Sequence, residues 1–381
     1  MNPTESLPRR QMLQTAAAAL TGAALAAAHS SSAAEAAAAP KTLRIGVISA
    51  TNRGKPQPRN GHTWHFAQYF HPSIDLDAFC KFVDPGSAEF FRKYVRHPRY
   101  TFDQLPFPDT KITHYYDANA KDAADFAKAF PGVQVAPSVA ELVDQVDAVW
   151  LGDASGYGDD HFDLVAPGLR KGLPTFCDKP IGETPAGTRK ILEFARQCKT
   201  PIMSSSLFRH EWGTEAALRM RDSGEFGPIE YLVASLQSGY SDNAWMVYGQ
   251  HPAWMVMTLM GAGVEAVSLY ARGHAGHARV TFADRMPADI WYGRPNTPFI
   301  YNHTEVHFQK RKFEWSPAIE GDFWYGHHYE MFRMAATFRE MVKTRREPVP
   351  HEEILEVTAM IHAGAKSRGE QSRLVKLAEV M

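Results

Sequence analysis

The amino-acid sequence predicts an α/β fold with two parts: an N-terminal doubly wound parallel sheet and a C-terminal α+β domain with a largely antiparallel open sheet. In the first half of the chain, short apolar runs alternate with helical segments, as in parallel sheets with crossover helices. In the second half, strand-like runs follow one another with few helices between them. The 381 residues, 44% of them hydrophobic, are enough for two domains with a sizeable core.

Composition narrows the class of ligand. The formal net charge is -1, and no stripe of basic residues interleaved with aromatic ones occurs, so the sequence argues against a nucleic-acid partner. Three cysteines (Cys80, Cys177 and Cys198) are too few and too unevenly spaced for a disulfide framework. We therefore expect a globular protein that binds small molecules.

Residues 1–40 are typical of an export signal. Arg9 and Arg10 precede an apolar run from Thr15 to Ala28 that is too short to span a bilayer and ends in small residues. The paired arginines favour the twin-arginine route, which predicts a periplasmic protein without membrane contact after the signal is removed. A disordered Ala-rich tail and an uncleaved anchor are the alternatives.

The mature chain begins with a predicted strand, Leu43 to Ile48, followed by a turn of the kind that binds nucleotide phosphates. A dinucleotide-binding turn has the pattern G-x-G-x-x-G, and here Ser49 and Thr51 occupy the first two glycine positions, so the pattern is weakened. Hydroxyl side chains can still donate to phosphate oxygens. The candidate phosphate-binding residues are Ser49, Thr51, Asn52, Arg53 and Gly54.

A segment of about 55 residues, 55–109, separates this turn from the next predicted strand and is longer than an ordinary connection. His62 and His65, three residues apart, could hold a metal together with His71. Because no cysteine or H-E-x-x-H spacing supports zinc, we favour the alternative. In that alternative the aromatic-rich segment packs over the cofactor cleft or at a subunit contact, and no metal is expected.

The second predicted strand, from Lys111, ends in Asp117. An acidic residue at this position of a dinucleotide-binding fold holds the adenosine ribose hydroxyls. Asp117 could equally belong to the N-cap of the following helix. The first interpretation disfavours a phosphorylated ribose, although Asn119, Lys121 and Arg53 leave NAD and NADP both open.

The run Val146 to Asp153 and the run Lys171 to Gly182 enclose a helix from His161 to Arg170, which predicts a parallel βαβ unit. Lys179 lies at the carboxyl end of the second strand, where open α/β sheets bind ligands, and is the first catalytic candidate. A solvated Lys-Pro turn is the alternative. The last strand of this domain follows Pro201, so the first domain should span 41–207 and the second 208–381.

In the second domain, four strands and four helices are predicted. The strands are 229–236, 264–272, 278–282 and 304–308, and the helices are 213–223, 252–260, 329–343 and 351–368. An open sheet face of this kind usually needs a cover, so we expect a homo-oligomer.

Taken together, the order of elements and several motifs resemble the glucose-fructose oxidoreductase and inositol dehydrogenase superfamily (Gfo/Idh/MocA). The motifs are Ala136-Pro-Ser-Val-Ala-Glu-Leu, Val146-Asp-Ala-Val, His161, Lys171-Gly, Asp178-Lys179-Pro180 and the run from Ala365 to Leu377. The resemblance covers nearly all of the mature chain apart from the insertion.

This resemblance implies a Rossmann domain that holds NAD or NADP, a second domain that carries a sugar-like substrate, and catalysis by Lys179 and His251. Asp178 stands for the usual glutamate of the lysine motif and keeps the carboxylate near the cofactor. The Asp that usually precedes the histidine by four residues is replaced by Val247. Tyr248 could supply a hydroxyl instead, and Arg209 matches a basic residue at the domain junction.

Three functions follow from these features. The first is a periplasmic oxidoreductase with tightly bound NAD(P), in which His251 removes the proton of a substrate hydroxyl and Lys179 stabilises the oxyanion. The second is a hydrolase, lyase or epimerase acting on glycosides without net redox change. The third is a degenerate protein that binds carbohydrate or a partner without turnover, since fold alone does not fix function.

Overall fold

The computed structural model describes residues 42–83, 85, 88–89, 106–154, 157–237, 244–273, 275–293, 301–316 and 323–381. Thr42–Met381 form one unit. The predicted export signal, 1–40, lies outside the described residues and remains a prediction. Among the described helices, none is both long enough and apolar enough to cross a membrane.

The first sheet has six parallel strands, and its order shows that it is doubly wound. The strands are β1 (Leu43–Ser49), β4 (Thr110–Tyr116), β5 (Gln134–Val135), β6 (Ala148–Gly152), β7 (Thr175–Cys177) and β8 (Ile202–Met203), in the order β5-β4-β1-β6-β7-β8. All five pairings are parallel. The chain proceeds from β1 to one side through β4 and β5, then returns to lie beside β1 as β6. The switch point of the sheet therefore lies between β1 and β6.

Within the described residues, a short hairpin and six helices accompany this sheet. The hairpin pairs β2 (Thr51–Asn52) with β3 (Lys55–Pro56). The helices are α1 (Gly61–Phe70), α2 (Leu76–Phe82), α3 (Ala120–Ala129), α4 (Val139–Val143), α5 (His161–Arg170) and α6 (Pro185–Cys198). Asn60, Asn119 and Thr184 cap α1, α3 and α6 with side-chain oxygens.

The second sheet has seven strands and is mixed. Its strands are β9 (Ile229–Gln237), β10 (Val264–Arg272), β11 (Ala275–Phe282), β12 (Ala288–Tyr292), β13 (Tyr301–Phe308), β14 (Arg311–Trp315) and β15 (Val375–Lys376), in the order β14-β13-β9-β12-β11-β10-β15. Only the pairing of β9 with β12 is parallel among these described strands.

Helices cover one face of this sheet. They are α7 (Trp212–Ser223), α8 (Ala244–Tyr248), α9 (Gln250–Met260), α10 (Phe323–Thr344) and α11 (His351–Gly369), with a 3-10 turn at Leu207–His210 before α7. Every residue of α9 is buried, because it lies between β9 and α11. On the other face Tyr270 and Trp291 are exposed.

The predicted fold class is confirmed, since a doubly wound parallel sheet is followed by a largely antiparallel one with helices on one side. The strands β12, β14 and β15 were not predicted from the sequence. The hairpin after β1 and the helix α2 were not predicted either. Within the segment 55–109, α1 forms and packs on β1, β4 and β6.

Candidate active site

Polar residues gather where the parallel strands end. Asp117 follows β4, Ser49 closes β1, Asp153 follows β6, Lys179 comes after β7 and Ser206 after β8, and all five are buried. Because adjacent strands are about 4.8 Å apart, residues in the same place on neighbouring strands form a row along the carboxyl edge. This edge is where open α/β sheets bind their ligands.

Asp178 organises the part of the row around Lys179. Its Oδ1 accepts the backbone N–H of Lys179 at 2.8 Å, and its Oδ2 accepts the backbone N–H of Asp153 at 2.9 Å. Oδ2 also lies 2.5 Å from Nδ1 of His62, near the start of α1. A cis peptide bond joins Lys179 to Pro180. Three elements therefore converge on one buried carboxylate beside the motif lysine.

A second buried network of charged and polar side chains, centred on Asp153, adjoins Asp178. Asp153 Oδ2 lies 3.0 Å from Nε2 of His161, and Oδ1 accepts the amide of Gln57 at 2.6 Å. Burial would raise the pKa of Asp153, but the hydrogen bond and charge of His161, then Gln57 and the charge of Lys179, outweigh it and lower that pKa. Asp153 is therefore an anion that faces the lysine motif.

His161 continues the network toward β7. Its Nδ1 lies 3.4 Å from the Cys177 sulfur. Burial would lower the pKa of His161, but Cys177 and Asp153 outweigh it and raise that pKa well above its usual value. Burial raises the pKa of the Cys177 thiol. Both side chains have no exposed surface, so this Cys-His-Asp arrangement holds strand ends together rather than presenting a nucleophile.

His251 approaches the same edge from a helix that packs on the second sheet. It is the second residue of α9, and its Nδ1 lies 2.6 Å from the hydroxyl oxygen of Ser206, just after β8. The ring of Phe208 lies 4.9 Å from the imidazole, centroid to centroid, and that of Tyr248 lies 6.5 Å away. Since β7 and β8 are neighbours, Ser206 brings His251 to the strand end next to that of Lys179.

Arg209, predicted to contact substrate, is held by the protein itself. Its guanidinium donates to the Thr258 hydroxyl at 3.1 Å and to Glu353 at 2.9 Å. Burial lowers the pKa of Arg209, and the charge of Glu353 opposes this. The side chain thus links the 3-10 turn to α9 and α11. A contact with substrate stays a prediction.

The turn after β1 is built differently from a glycine-rich phosphate loop. Ser49 accepts the Asn60 amide at 3.1 Å, and the same amide nitrogen donates to the Gly152 carbonyl at 2.8 Å. The backbone N–H and the hydroxyl of Thr51 each donate to Oδ2 of Asp160, both at 2.7 Å. The two Thr51 groups that could donate to a phosphate, the backbone N–H and the hydroxyl, therefore donate to a carboxylate instead.

Gly54 belongs to the turn of the β2–β3 hairpin. Arg53 and Gly54 both have positive φ, 50° and 73°, the combination of a two-residue type I′ turn. The Arg53 guanidinium lies 4.7 Å from the ring centroid of Tyr157, and Asn52 pairs with Lys55. Gly54 is thus required by the hairpin, and its predicted contact with a phosphate remains untested.

Asp117 is not the N-cap of α3, because Asn119 fills that position and accepts the N–H groups of Lys121 and Asp122. Asp117 instead accepts the N–H of Asn119 at 2.8 Å and the Tyr115 hydroxyl at 3.0 Å. Burial raises the pKa of its carboxyl, and these hydrogen bonds oppose the rise. Its position at the end of β4 suits the ribose hydroxyls of a nucleotide.

Two of the three histidines proposed as alternative metal ligands, His62 and His71, have different partners. His62 contacts Asp178, whereas His71 is buried and places its two ring nitrogens 3.1 Å and 3.0 Å from the carbonyl oxygens of Ile112 and Pro131. Burial lowers the pKa of His71. In the described part of the chain, the one cluster with metal-ligating geometry is His303, Glu305 and Glu314 on β13 and β14, where Lys312 pairs with both glutamates.

Several residues of this site were not singled out from the sequence. Asp153 directly follows a buried strand, so the rule that selected Lys179 could have selected it too. Asp160 and His62 could not be found in this way, because their partners Thr51 and Asp178 are more than a hundred residues distant along the chain.

Comparison with known proteins shows a family similarity in the part of the first sheet from β4 to β8. Residues 86–205 match the model of the Gfo/Idh/MocA family, described as an oxidoreductase family with an NAD-binding Rossmann fold. The matched segment begins after the turn that follows β1, and it includes Asp117, Asp153, Asp160 and Lys179. Residues 86–205 are therefore similar to the NAD-binding Rossmann domain of this oxidoreductase family. No curated protein matches the chain.

Solved structures with the same fold include dehydrogenases. A scyllo-inositol dehydrogenase from Lactobacillus casei, crystallised with NAD(H) and scyllo-inositol, is 14% identical, with a TM-score of 0.65 over 89% of this chain and 100% of that chain. A probable dehydrogenase from Thermotoga maritima is 19% identical, with a TM-score of 0.66 over 89% and 100% of the two chains. An oxidoreductase from Agrobacterium radiobacter, in complex with NAD+, L-tartaric acid and magnesium, is 12% identical, with a TM-score of 0.65 over 90% and 100%. At these identities the likeness concerns the fold.

The donors and acceptors along the edge fit a nicotinamide dinucleotide. Asp117 offers a buried carboxylate for ribose hydroxyls, and the Thr51 N–H and hydroxyl are donors suited to phosphate oxygens. Gly152 lets α1 approach the sheet, because a Cβ there would lie 2.9 Å from the Thr63 backbone nitrogen. The fit requires that Thr51 exchange its bond to Asp160 for one to a phosphate.

Proposed function

We propose that this protein is an NAD(P)-dependent oxidoreductase that removes a hydride from a secondary alcohol of a sugar, polyol or cyclitol-like substrate. The observation that carries the proposal is the placement of a buried lysine and a histidine at adjacent strand ends. Lys179 comes after β7, and His251 is held by Ser206 just after β8. The match of 86–205 to an NAD-binding oxidoreductase family supports the same class of reaction.

His251 serves as the base in this proposal. In the tautomer with hydrogen on Nδ1, the imidazole donates to Ser206 at 2.6 Å, and Nε2 is the ring nitrogen that accepts the proton of the substrate hydroxyl. Packing against Phe208 fixes the plane of the ring. This step requires the neutral form of the imidazole.

Lys179 serves as the electrostatic partner. Its ammonium group stabilises the negative charge that develops on the substrate oxygen as the proton leaves. Asp178 holds the backbone N–H of Lys179 at 2.8 Å and so fixes where the lysine side chain leaves the strand end. A bound nicotinamide ring supplies the hydride acceptor.

The decisive experiment has two stages. The protein is purified without added cofactor and denatured, and released NAD(P) is measured by absorbance and mass; apo protein is then titrated with both nucleotides. Activity is next tested on a panel of polyols and sugars with wild type, Lys179→Met and His251→Asn. We expect each substitution to lower kcat/KM about 10²- to 10⁴-fold.

Lys171→Met is the matched control for the lysine substitution. Lys171 follows α5, at the amino edge of the sheet, and pairs with Asp144. Its replacement should leave kcat/KM within about twofold, since an exposed ion pair contributes little. Nucleotide binding together with retained activity in both site variants would contradict the assigned roles.

The bond between Thr51 and Asp160 favours a second candidate, a family member that binds carbohydrate without redox turnover. If no nucleotide is released and neither NAD nor NADP binds, the oxidoreductase proposal is overturned. This candidate, or an enzyme without net redox change, is then left.

We further propose export by the twin-arginine route on the strength of Arg9 and Arg10. Cell fractionation with an Arg9→Lys, Arg10→Lys variant as control tests the route.

A further inference from the structure

The contact between Thr51 and Asp160 lies at the switch point of the first sheet. Thr51 follows β1, and Asp160 directly precedes α5, the helix that follows β6. The strands β1 and β6 are neighbours. From β1 the chain adds β4 and β5 on one side, and from β6 it adds β7 and β8 on the other side. In a doubly wound sheet, the pyrophosphate of a dinucleotide binds in the crevice between such strands.

At this place the donors are already bonded to an anion. Asp160 Oδ2 accepts two hydrogen bonds from Thr51, from the backbone and from the hydroxyl, both at 2.7 Å. The neighbouring Asp159 accepts the backbone N–H of Arg53 at 3.3 Å. A carboxylate oxygen with two short N–H and O–H donors reproduces the contacts that a phosphate oxygen makes in such a turn.

Asp160 also has an alternative position within reach. It occupies the N-cap position of α5, yet its side chain makes no capping hydrogen bond with that helix, although aspartate is among the best N-cap residues. Its Oδ1 is buried and has no hydrogen-bond partner within the described ranges. Rotation away from Thr51 would let the carboxylate accept the first N–H groups of α5, where the helix dipole favours an anion.

We propose that Asp160 occupies the pyrophosphate position of the nucleotide-binding crevice and that nucleotide binds by displacing it from Thr51 onto the N-terminus of α5. The identity of the displacing ligand rests on the proposed function. In the closed arrangement the carboxylate substitutes for a phosphate oxygen. In the open arrangement Thr51 donates to the ligand while Asp160 caps its own helix. Asp160 thus sets the affinity for phosphate-bearing ligands.

The test is equilibrium binding to the full chain by isothermal titration calorimetry, with two probes that differ in phosphate. ADP-ribose carries the pyrophosphate, and adenosine carries only the base and one ribose. Asp160→Asn removes the charge with nearly the same shape, and Asp160→Ala removes both charge and hydrogen bonds. We expect both variants to bind ADP-ribose at least tenfold more tightly than wild type and to bind adenosine with unchanged affinity.

Asp163→Asn is the control for a general charge effect. Asp163 is exposed in the first turn of α5, so the variant makes the same change of charge on the same helix without touching Thr51. We expect its affinity for ADP-ribose to stay within twofold of wild type. An equal gain in Asp163→Asn, or an equal gain with adenosine, would show that local charge rather than displacement is responsible.

The remaining outcomes separate this inference from the proposed function. If wild type binds ADP-ribose and neither Asp160 variant binds more tightly, the displacement is refuted while nucleotide binding stands. If only the Asp160 variants bind, the displacement is supported and wild type is not a nucleotide-dependent enzyme. If no form binds, both proposals fail. Should the alanine variant not fold, the nearly isosteric asparagine variant decides.

Discussion

Nδ1 of His62 and Oδ2 of Asp178 lie 2.5 Å apart and connect α1 to the lysine motif of the candidate active site. Asp178 is buried and accepts two backbone N–H groups in addition to the imidazole. A buried carboxylate needs its donors, because an unmatched charge away from water is unfavourable. The position of Lys179 therefore depends on a residue that is distant in sequence.

The first prediction concerns this bond. Replacing His62 with alanine removes one donor from the buried carboxylate and should lower the free energy of unfolding by about 1.5–3 kcal/mol. His62→Asn should lower the free energy of unfolding by less than half as much, because the asparagine amide nitrogen lies close to the position of Nδ1. Urea unfolding of the three proteins measures the difference. Equal losses for alanine and asparagine would show that the bond itself is unimportant.

A second prediction concerns Ser206, which positions the candidate base. Ser206→Ala removes the 2.6 Å contact with His251 and should lower kcat about 10- to 100-fold, because a small misplacement of a catalytic group is enough for such a loss. KM should change little, and the pH profile of kcat should shift. Ser206→Thr retains the hydroxyl and should restore most of the rate. A rate loss in alanine with an unchanged pH profile would point to a structural role instead.

The third prediction is a pH dependence of stability. Two hydrogen bonds from Arg339, both 2.7 Å, and a contact with Lys343 lower the pKa of Asp109 to about 2. A lowered pKa stabilises the folded state when the carboxyl is ionised, so this contribution is present above pH 4 and is lost as the pH falls through 2. Its size is about 2 kcal/mol.

Asp109→Asn should therefore lower the free energy of unfolding by about 2 kcal/mol at pH 6, and the gap to wild type should narrow as the pH falls from 4 toward 2. Urea unfolding at pH 6, 4 and 3 measures it. Asp222→Asn, which alters an exposed ion pair with Arg221, serves as the control and should change stability little. A gap independent of pH would contradict the assignment to Asp109 ionisation.

A fourth prediction tests the close approach of α1 to β6. A Cβ at Gly152 would lie 2.8 Å from the Thr63 methyl carbon and 2.9 Å from its backbone nitrogen, so the helix would have to shift. Gly152→Ala should cost about 1–3 kcal/mol. Gly187→Ala is the control, because the nearest atom to its Cβ would be 3.4 Å away and alanine favours a helix. Comparable thermal stability of the two variants would refute the steric argument.

The sequence predicts the parts of this fold that depend on local periodicity. The buried runs of β1, β6 and β7 and the helices α9 and α11 lie close to the predicted positions, because apolar spacing defines them. It also places Lys179 correctly at a strand end. Short strands such as β14 and β15 escape prediction, since their formation depends on a neighbouring strand rather than on their own composition.

Local sequence rules predicted the candidate site only where the carboxyl-edge rule applies, whereas His251 was predicted from the family resemblance. Asp117, Lys179 and Ser49 lie on that edge, as expected from their place after a strand. The hairpin that uses Gly54 and the contact of Asp160 with Thr51 result from tertiary packing and are invisible to a search for spaced glycines. The roles of these residues in binding and catalysis remain predictions.

The mixed order of the second sheet affects how the chain can fold. The strand β9 pairs with β12 on one side, as Leu232 with Ala288, and with β13 on the other, as Ala234 with Thr304. Both partners follow it by more than fifty residues, so β9 has no neighbour when it leaves the ribosome. Contacts of such long separation slow folding, because the entropy of loop closure must be overcome first. Until β12 is made, both edges of β9 are open to other chains, and one edge stays open until β13 is complete; we expect aggregation during expression to occur in this interval.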